Sequence, residues 1–83
     1  MFEVLFTQTS MRQFEKLENN VQMRIKTSLE RIKVRPYSFV EKLTNSTYFR
    51  LRVGDYRIIL DIRNNELIIF VIEVGHRKNI YKS

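Results

Sequence analysis

Tyr48-Phe49-Arg50-Leu51-Arg52-Val53-Gly54-Asp55-Tyr56-Arg57 alternates apolar and charged residues around a central Gly-Asp. Alternation with period two is the pattern of a strand with one buried face. A Gly-Asp pair between two such runs marks a two-residue hairpin turn. That turn sets Val53 opposite Tyr56, Arg52 opposite Arg57 and Leu51 opposite Ile58. Arg50, Arg52 and Arg57 therefore share one side of the hairpin, and Phe49, Leu51 and Val53 share the other. Like charges set directly across a sheet destabilise it. Folding alone supplies no reason for such a cluster, whereas a polyanionic ligand does.

The remaining elements fall on either side of this hairpin. Residues 2–7 form a short apolar run that suits a strand. Thr9 or Ser10 is placed to cap a helix with apolar positions Met11, Phe14 and Leu17. Glu18-Asn19-Asn20 interrupts that pattern. A second helix is expected from about Asn20 to Arg35, with Val21, Ile25, Leu29 and Ile32 on one stripe and Pro36 ending it. Residues 37–46 look irregular, with one helical turn around Val40–Leu43. After the hairpin, Asn64-Asn65 is read as a second two-residue turn leading into a strand over about Glu66–Val74. One sheet face then carries Leu51, Val53, Tyr56, Ile58, Leu60, Ile62, Leu67, Ile69 and Val71, and should receive both helices. The other carries Tyr48, Arg50, Arg52, Arg57, Ile59, Asp61, Ile68, Phe70 and Ile72. The architecture expected is α+β: a small β-α-α-β-β-β domain, an antiparallel sheet with two N-terminal helices packed on one face.

Composition narrows the function. The chain has 83 residues, enough for one domain, and no cysteine, so disulfides and thiolate metal sites are excluded. Area scaling gives roughly 5,300 Å² exposed when folded against about 14,600 Å² unfolded, a thin but real core. Fifteen Lys and Arg against nine Asp and Glu leave a net charge of +6. Such a field suits nucleic acid, an acidic protein or an anionic surface. The N-terminus lacks the basic start and long apolar run of a signal peptide, and no stretch is long enough for a membrane span. A cytoplasmic protein without membrane partners is expected. With a single His, only Gly54 and Gly75 as glycines and scattered acids, neither a metal constellation nor a phosphate loop is expected, and no cofactor.

The remaining candidates are the arginine hairpin and the segment Val74-Gly75-His76-Arg77-Lys78-Asn79-Ile80-Tyr81. The last strand runs back toward Tyr56 and Arg57, so His76, Arg77 and Tyr81 are expected beside Arg52 and Arg57. Arg, His and Tyr around one groove suit RNA backbone cleavage without metal. The 2′-hydroxyl attacks phosphorus, guanidinium groups stabilise the phosphorane-like transition state, and one group protonates the leaving 5′ oxygen.

Arg50-Leu-Arg-Val-Gly-Asp-Tyr-Arg57-Ile-Ile, followed by Val71-Ile-Glu-Val-Gly-His-Arg-Lys-Asn-Ile-Tyr81, resembles the RelE/ParE toxins of prokaryotic toxin–antitoxin modules, RelE branch. The resemblance spans nearly the whole chain in length and element order and is specific over residues 48–81. It implies a single RelE-like toxin domain over residues 1–83 that acts as a ribosome-dependent mRNA endoribonuclease. It also implies neutralisation by a cognate RelB-like acidic antitoxin in a heterocomplex. The ParE branch shares the fold and poisons DNA gyrase, which is the alternative. Carried over position by position, Arg57 contacts the scissile phosphate, Arg77 stabilises the transition state, and Arg50 serves as base or charge stabiliser. Tyr81 orients or stacks on the substrate nucleotide. Tyr48 stands where well-studied members carry a second lysine, and His76 where they often carry Lys. Since arginine stays protonated, His76 is the candidate to take up base work, or else catalysis is mostly electrostatic. Tyr48, Arg52, Lys78, Arg24 and Arg31 are assigned to RNA, the two helix arginines to ribosomal RNA. Arg57 could instead pair structurally with Asp61 or Glu73, and the helix arginines could be a solvated face. Ile59, Phe70 and Ile72 suit partial cover by an antitoxin segment.

Overall fold

The hairpin is present with the expected pairing: Val53 opposite Tyr56, Arg52 opposite Arg57, Leu51 opposite Ile58. Gly54 takes φ +59° and is the first turn residue, which a side chain would strain. A Cβ there would also lie 2.7 Å from the Arg24 Nη2 atom. The computed structural model describes residues 1–80, so Tyr81 lies outside the described residues.

The chain runs β1 (Glu3–Phe6), α1 (Gln8–Glu15), α2 (Asn19–Ile32), a 3₁₀ turn (Pro36–Ser38), β2 (Val40–Lys42), β3 (Phe49–Val53), β4 (Tyr56–Arg63), β5 (Ile68–His76) and α3 (Arg77–Ile80). The strands form one sheet in the order β1-β5-β4-β3-β2. Both expected helices and all four expected strands are there. The sheet is mixed rather than antiparallel throughout, because β1 pairs in parallel with β5 at the edge far from the hairpin.

Local chemistry explains the boundaries. Thr7, not Thr9 or Ser10, caps α1: its hydroxyl accepts the Ser10 N–H at 3.1 Å. Ser10 is itself inside the helix and fully buried, its own hydroxyl donating to the Thr7 carbonyl. Gln22 closes the other end of α1, donating from Nε2 to the Phe14 and Leu17 carbonyls. Helix α2 stops at Ile32, short of Arg35, because the residue before Pro36 is pushed out of helical geometry, to φ −135° and ψ 77°. Ile25, Leu29 and Ile32 enter the core with Phe14, Leu51, Val53, Ile58, Leu60, Ile69, Val71 and Val74. Val21 and Leu17 pack at its margin, and Met11 is exposed. Residues 40–42, read as irregular or helical, pair with β3 as a short edge strand. A three-residue strand with two charged members carries too little apolar signal to be read from sequence, and edges are blunted in this way.

The second turn is four residues long, Asn64 to Leu67, with Leu67 at φ 56° and its N–H on the Asn64 carbonyl. Leu67 is therefore half exposed in the turn rather than on the core face. Lengthening the loop by two keeps the alternation, so Ile69 and Val71 still face inward. A bulge then adds Ile72 to β5: Leu60 faces Val71, but Ile59 faces Glu73. From that point the alternation reverses. The exposed surface totals 5712 Å², close to the area expected for this length. No helix among the described residues is long and apolar enough to cross a membrane.

Candidate nucleic-acid interface

The pairing registers lay out the sheet face away from the core in two rows. The first crosses four strands as Glu41, Arg50, Ile59 and Glu73. The second is Arg52, Arg57 and Gly75. Arg50, Arg52 and Arg57 thus converge, and Gly75 presents no side chain where β5 passes Arg57. Two carboxylates, Glu41 and Glu73, end the first row on either side of the arginines. Glu41 was missed because β2 was missed. Glu73, considered from sequence only as a structural partner of Arg57, reaches this row opposite Ile59 through the bulge.

Glu41 Oε1 lies 2.5 Å from Arg50 Nη2. The hydrogen bond and charge of Arg50, followed by the charges of Arg52 and Arg57, hold the Glu41 carboxyl below its usual range. Arg57 is buried, only 6% exposed, and donates from Nη1 to the Gly54 carbonyl at 3.2 Å and the Tyr56 carbonyl at 3.1 Å. Those bonds anchor its position on the hairpin. Asp61, a structural alternative for Arg57, pairs with Arg63 at 2.8 Å.

The remaining candidates spread around this face. Arg24 on α2 leans over Gly54 and shares with Arg52 a cleft of about 490 Å³ also lined by Met23, Thr27 and Ser28. Arg31 sits over the Phe39 ring, 5.5 Å from its centroid. Tyr48 precedes β3, at the end of that strand far from the Gly54 turn, where its carbonyl accepts the Leu43 N–H. Arg77 opens α3, and its N–H on the Asp55 carbonyl at 2.9 Å ties the C-terminal segment to the hairpin turn. Lys78 is exposed, its N–H directed at His76 Nδ1 at 3.3 Å. His76 departs from the expected position. It pairs with Tyr56 and meets that ring edge-on at 5.5 Å, on the core side of the sheet rather than with Arg52 and Arg57. The Ile72 bulge is the cause, since uninterrupted alternation would have put His76 on the arginine side. The spacing Ile69, Val71, Val74 carried the signal, because a regular strand would bury Glu73 and expose Val74. Among the described residues, no cluster of three His, Asp or Glu side chains could hold a metal.

A small basic α+β protein with an arginine-lined sheet face is the class that fold and site define. The description "ParE toxin of type II toxin–antitoxin system, parDE" matches residues 4–81, and the chain belongs to this family, within the RelE/ParE toxin superfamily. It is a toxin of a type II toxin–antitoxin module. Solved structures agree in fold. The intact E. coli RelBE toxin–antitoxin complex superposes with TM-score 0.81 at 23% identity, covering 92% of this chain and 96% of that one. The RelB-RelE complex from Methanococcus jannaschii gives 0.74 at 27%, covering 93% and 94%. A YoeB/ParE toxin from Agrobacterium tumefaciens gives 0.80 at 15%, covering 90% and 98%. No curated protein matches the sequence.

Proposed function

We propose that this toxin is a ribosome-dependent mRNA endoribonuclease whose chemistry runs on the arginine face without metal. The single observation that carries the reading is that Arg50, Arg52 and Arg57 share one sheet face, with the Glu41 carboxylate paired to Arg50 beside them. Glu41 takes the proton of the 2′-hydroxyl, the O2′–P bond forms, and the P–O5′ bond breaks to leave a 2′,3′-cyclic phosphate. The 5′ oxygen takes its proton from water. The guanidinium groups neutralise the charge that develops on the phosphorane. A carboxylate held down by Arg50 is a weak base in the free protein. When the scissile phosphate engages Arg50, Glu41 loses part of that stabilisation and becomes more basic as substrate binds. Arg77, tied to the hairpin turn, adds positive charge at the same end. Arg24, Arg31, Tyr48 and Lys78 are proposed to meet RNA around the face, and Tyr81 to meet the substrate nucleotide. His76 is assigned to supporting Tyr56 rather than to proton transfer.

The proposed partner is an acidic RelB-like antitoxin that covers the basic face, acting with apolar contacts as well as charge. The structural neighbours solved as complexes with RelB support this. The test is induction of the chain in growing bacteria with 5′ ends mapped on translated transcripts. New ends within open reading frames are expected, reduced about a hundredfold or more by Arg57→Ala or Arg77→Ala. Arrested growth with intact transcripts would sink the nuclease reading. The second reading, gyrase inhibition, draws on the ParE description of the matching family. Loss of supercoiling by purified gyrase with the toxin present would favour it, and unaffected supercoiling would dismiss it.

A further inference from the structure

We infer that Phe39 is a nucleobase-stacking ledge that seats the base next to the bound phosphate of a single-stranded RNA. The inference rests on the RNA-binding reading above and adds to it a specific contact outside the arginine rows. Phe39 sits where the 3₁₀ turn meets β2 at the sheet edge, and 45% of it is exposed. Its neighbour Val40 turns to the core opposite Leu51, which leaves the Phe39 ring outside that packing. Two kinds of group surround it. Arg31 reaches from α2 over the ring, a cation–π contact that fixes the ring and adds positive charge. The ring also lines a cleft of about 330 Å³ with Ser38, Val40, Glu41, Arg50 and Arg52. That volume lies at the small end of ligand sites, ~300–1,000 Å³.

An exposed ring bordered by three arginines is poorly suited to a purely apolar partner. It matches single-strand binding surfaces, where a cationic track holds the backbone and an aromatic ring accepts any base on its face. The geometry is economical: a phosphate on Arg50 or Arg52 leaves the attached nucleoside within reach of the ring in the same cleft. Stacking of this kind tolerates any base, so the ledge would position the strand without selecting sequence. It would also disfavour duplex RNA, whose bases are already stacked and paired.

The chain contains no tryptophan, so Phe39→Trp introduces a unique indole at the ledge. The probes are a six-nucleotide RNA, 2′-O-methylated to block cleavage, and an abasic oligomer with the same phosphates. Quenching of the indole by the RNA but not by the abasic oligomer is expected, although both bind. Phe39→Ala should weaken RNA binding about tenfold and leave abasic binding unchanged, while Phe39→Tyr keeps wild-type affinity. Thermal unfolding of each variant establishes that the fold is retained. Equal RNA affinity of Phe39→Ala and wild type overturns the inference, as does equal quenching by both oligomers. Loss of antitoxin affinity in Phe39→Ala with RNA affinity intact also overturns it, assigning the ring to protein docking. If the wild type binds neither oligomer, or if Arg52→Ala changes nothing, the RNA reading falls as well. Arginine-dependent binding that ignores Phe39 removes the ledge alone.

Discussion

Glu41 and Arg50 face each other across β2 and β3 as an ion pair set among like charges. Three arginines on one sheet face repel, and the directly opposed Arg52 and Arg57 repel most. Glu41 at one end of the row and Glu73 at the other offset part of that repulsion, so the free protein tolerates a surface built for an anion. Glu41→Gln keeps the shape and removes the charge. If Glu41 is the base, RNA cleavage should fall at least a hundredfold, while RNA binding in a filter or anisotropy assay stays equal or tightens. A purely structural pairing would instead lower both together. The acid behaviour has a definite sign. Because the folded carboxyl lies below its ordinary value of 4.5, its contribution to stability is complete above that value and disappears as pH falls through the lower folded one. The exposed position keeps that contribution small. Acid unfolding followed by circular dichroism should therefore show a slightly shallower loss below pH 4.5 for Glu41→Gln than for the wild type.

The element that aims the site is β5. Its first half keeps Ile69 and Val71 inward, and the extra Ile72 then reverses the alternation, so that Val74 is inward, Gly75 meets Arg57 and His76 meets Tyr56. Without the bulge, Glu73 would oppose Ile58 in the core and Val74 would crowd Arg57. A buried carboxylate without a partner costs far more than the ladder bonds a bulge disrupts, so the strand bulges. Deleting Ile72 should preserve both Leu60–Val71 and Ile58–Val74 pairing. The chain should still fold, losing about 1 kcal/mol for one half-buried side chain, measured by urea unfolding. A Tyr56–His76 contact should survive in NMR spectra of the deletion variant. Its disappearance, with collapse of the fold, would mean that β5 cannot run without the bulge.

For the whole molecule, the arginine face combines with a net charge of +6 to give a field that draws in anions and weakens with salt. If Arg50, Arg52 and Arg57 each neutralise one phosphate of single-stranded RNA, log affinity should fall against log salt with a slope of about −2. Arg52→Ala should reduce the magnitude of that slope by about 0.7, with little effect on stability because the residue is exposed. Titrations at several salt concentrations measure both values. A slope near zero would be inconsistent with phosphate contacts at this face.

Patterns within about a dozen residues of chain were enough for the hairpin, the Arg52–Arg57 pairing and the α2 stripe, because turn chemistry and side-chain period act locally and do not depend on what packs against them. Composition likewise fixed the basic character and ruled out disulfides. Three features needed the assembled sheet: the edge strand β2 with Glu41, the parallel docking of β1 on β5, and the Ile72 bulge that carries His76 away from the arginines. Each depends on how separate strands pair and pack, which no single strand's pattern states. β2 has too few apolar residues to announce itself and forms because β3 offers it unpaired backbone groups. The bulge forms because burying Val74 and exposing Glu73 outweighs a regular ladder, a balance that exists only once the helices have closed over the opposite face.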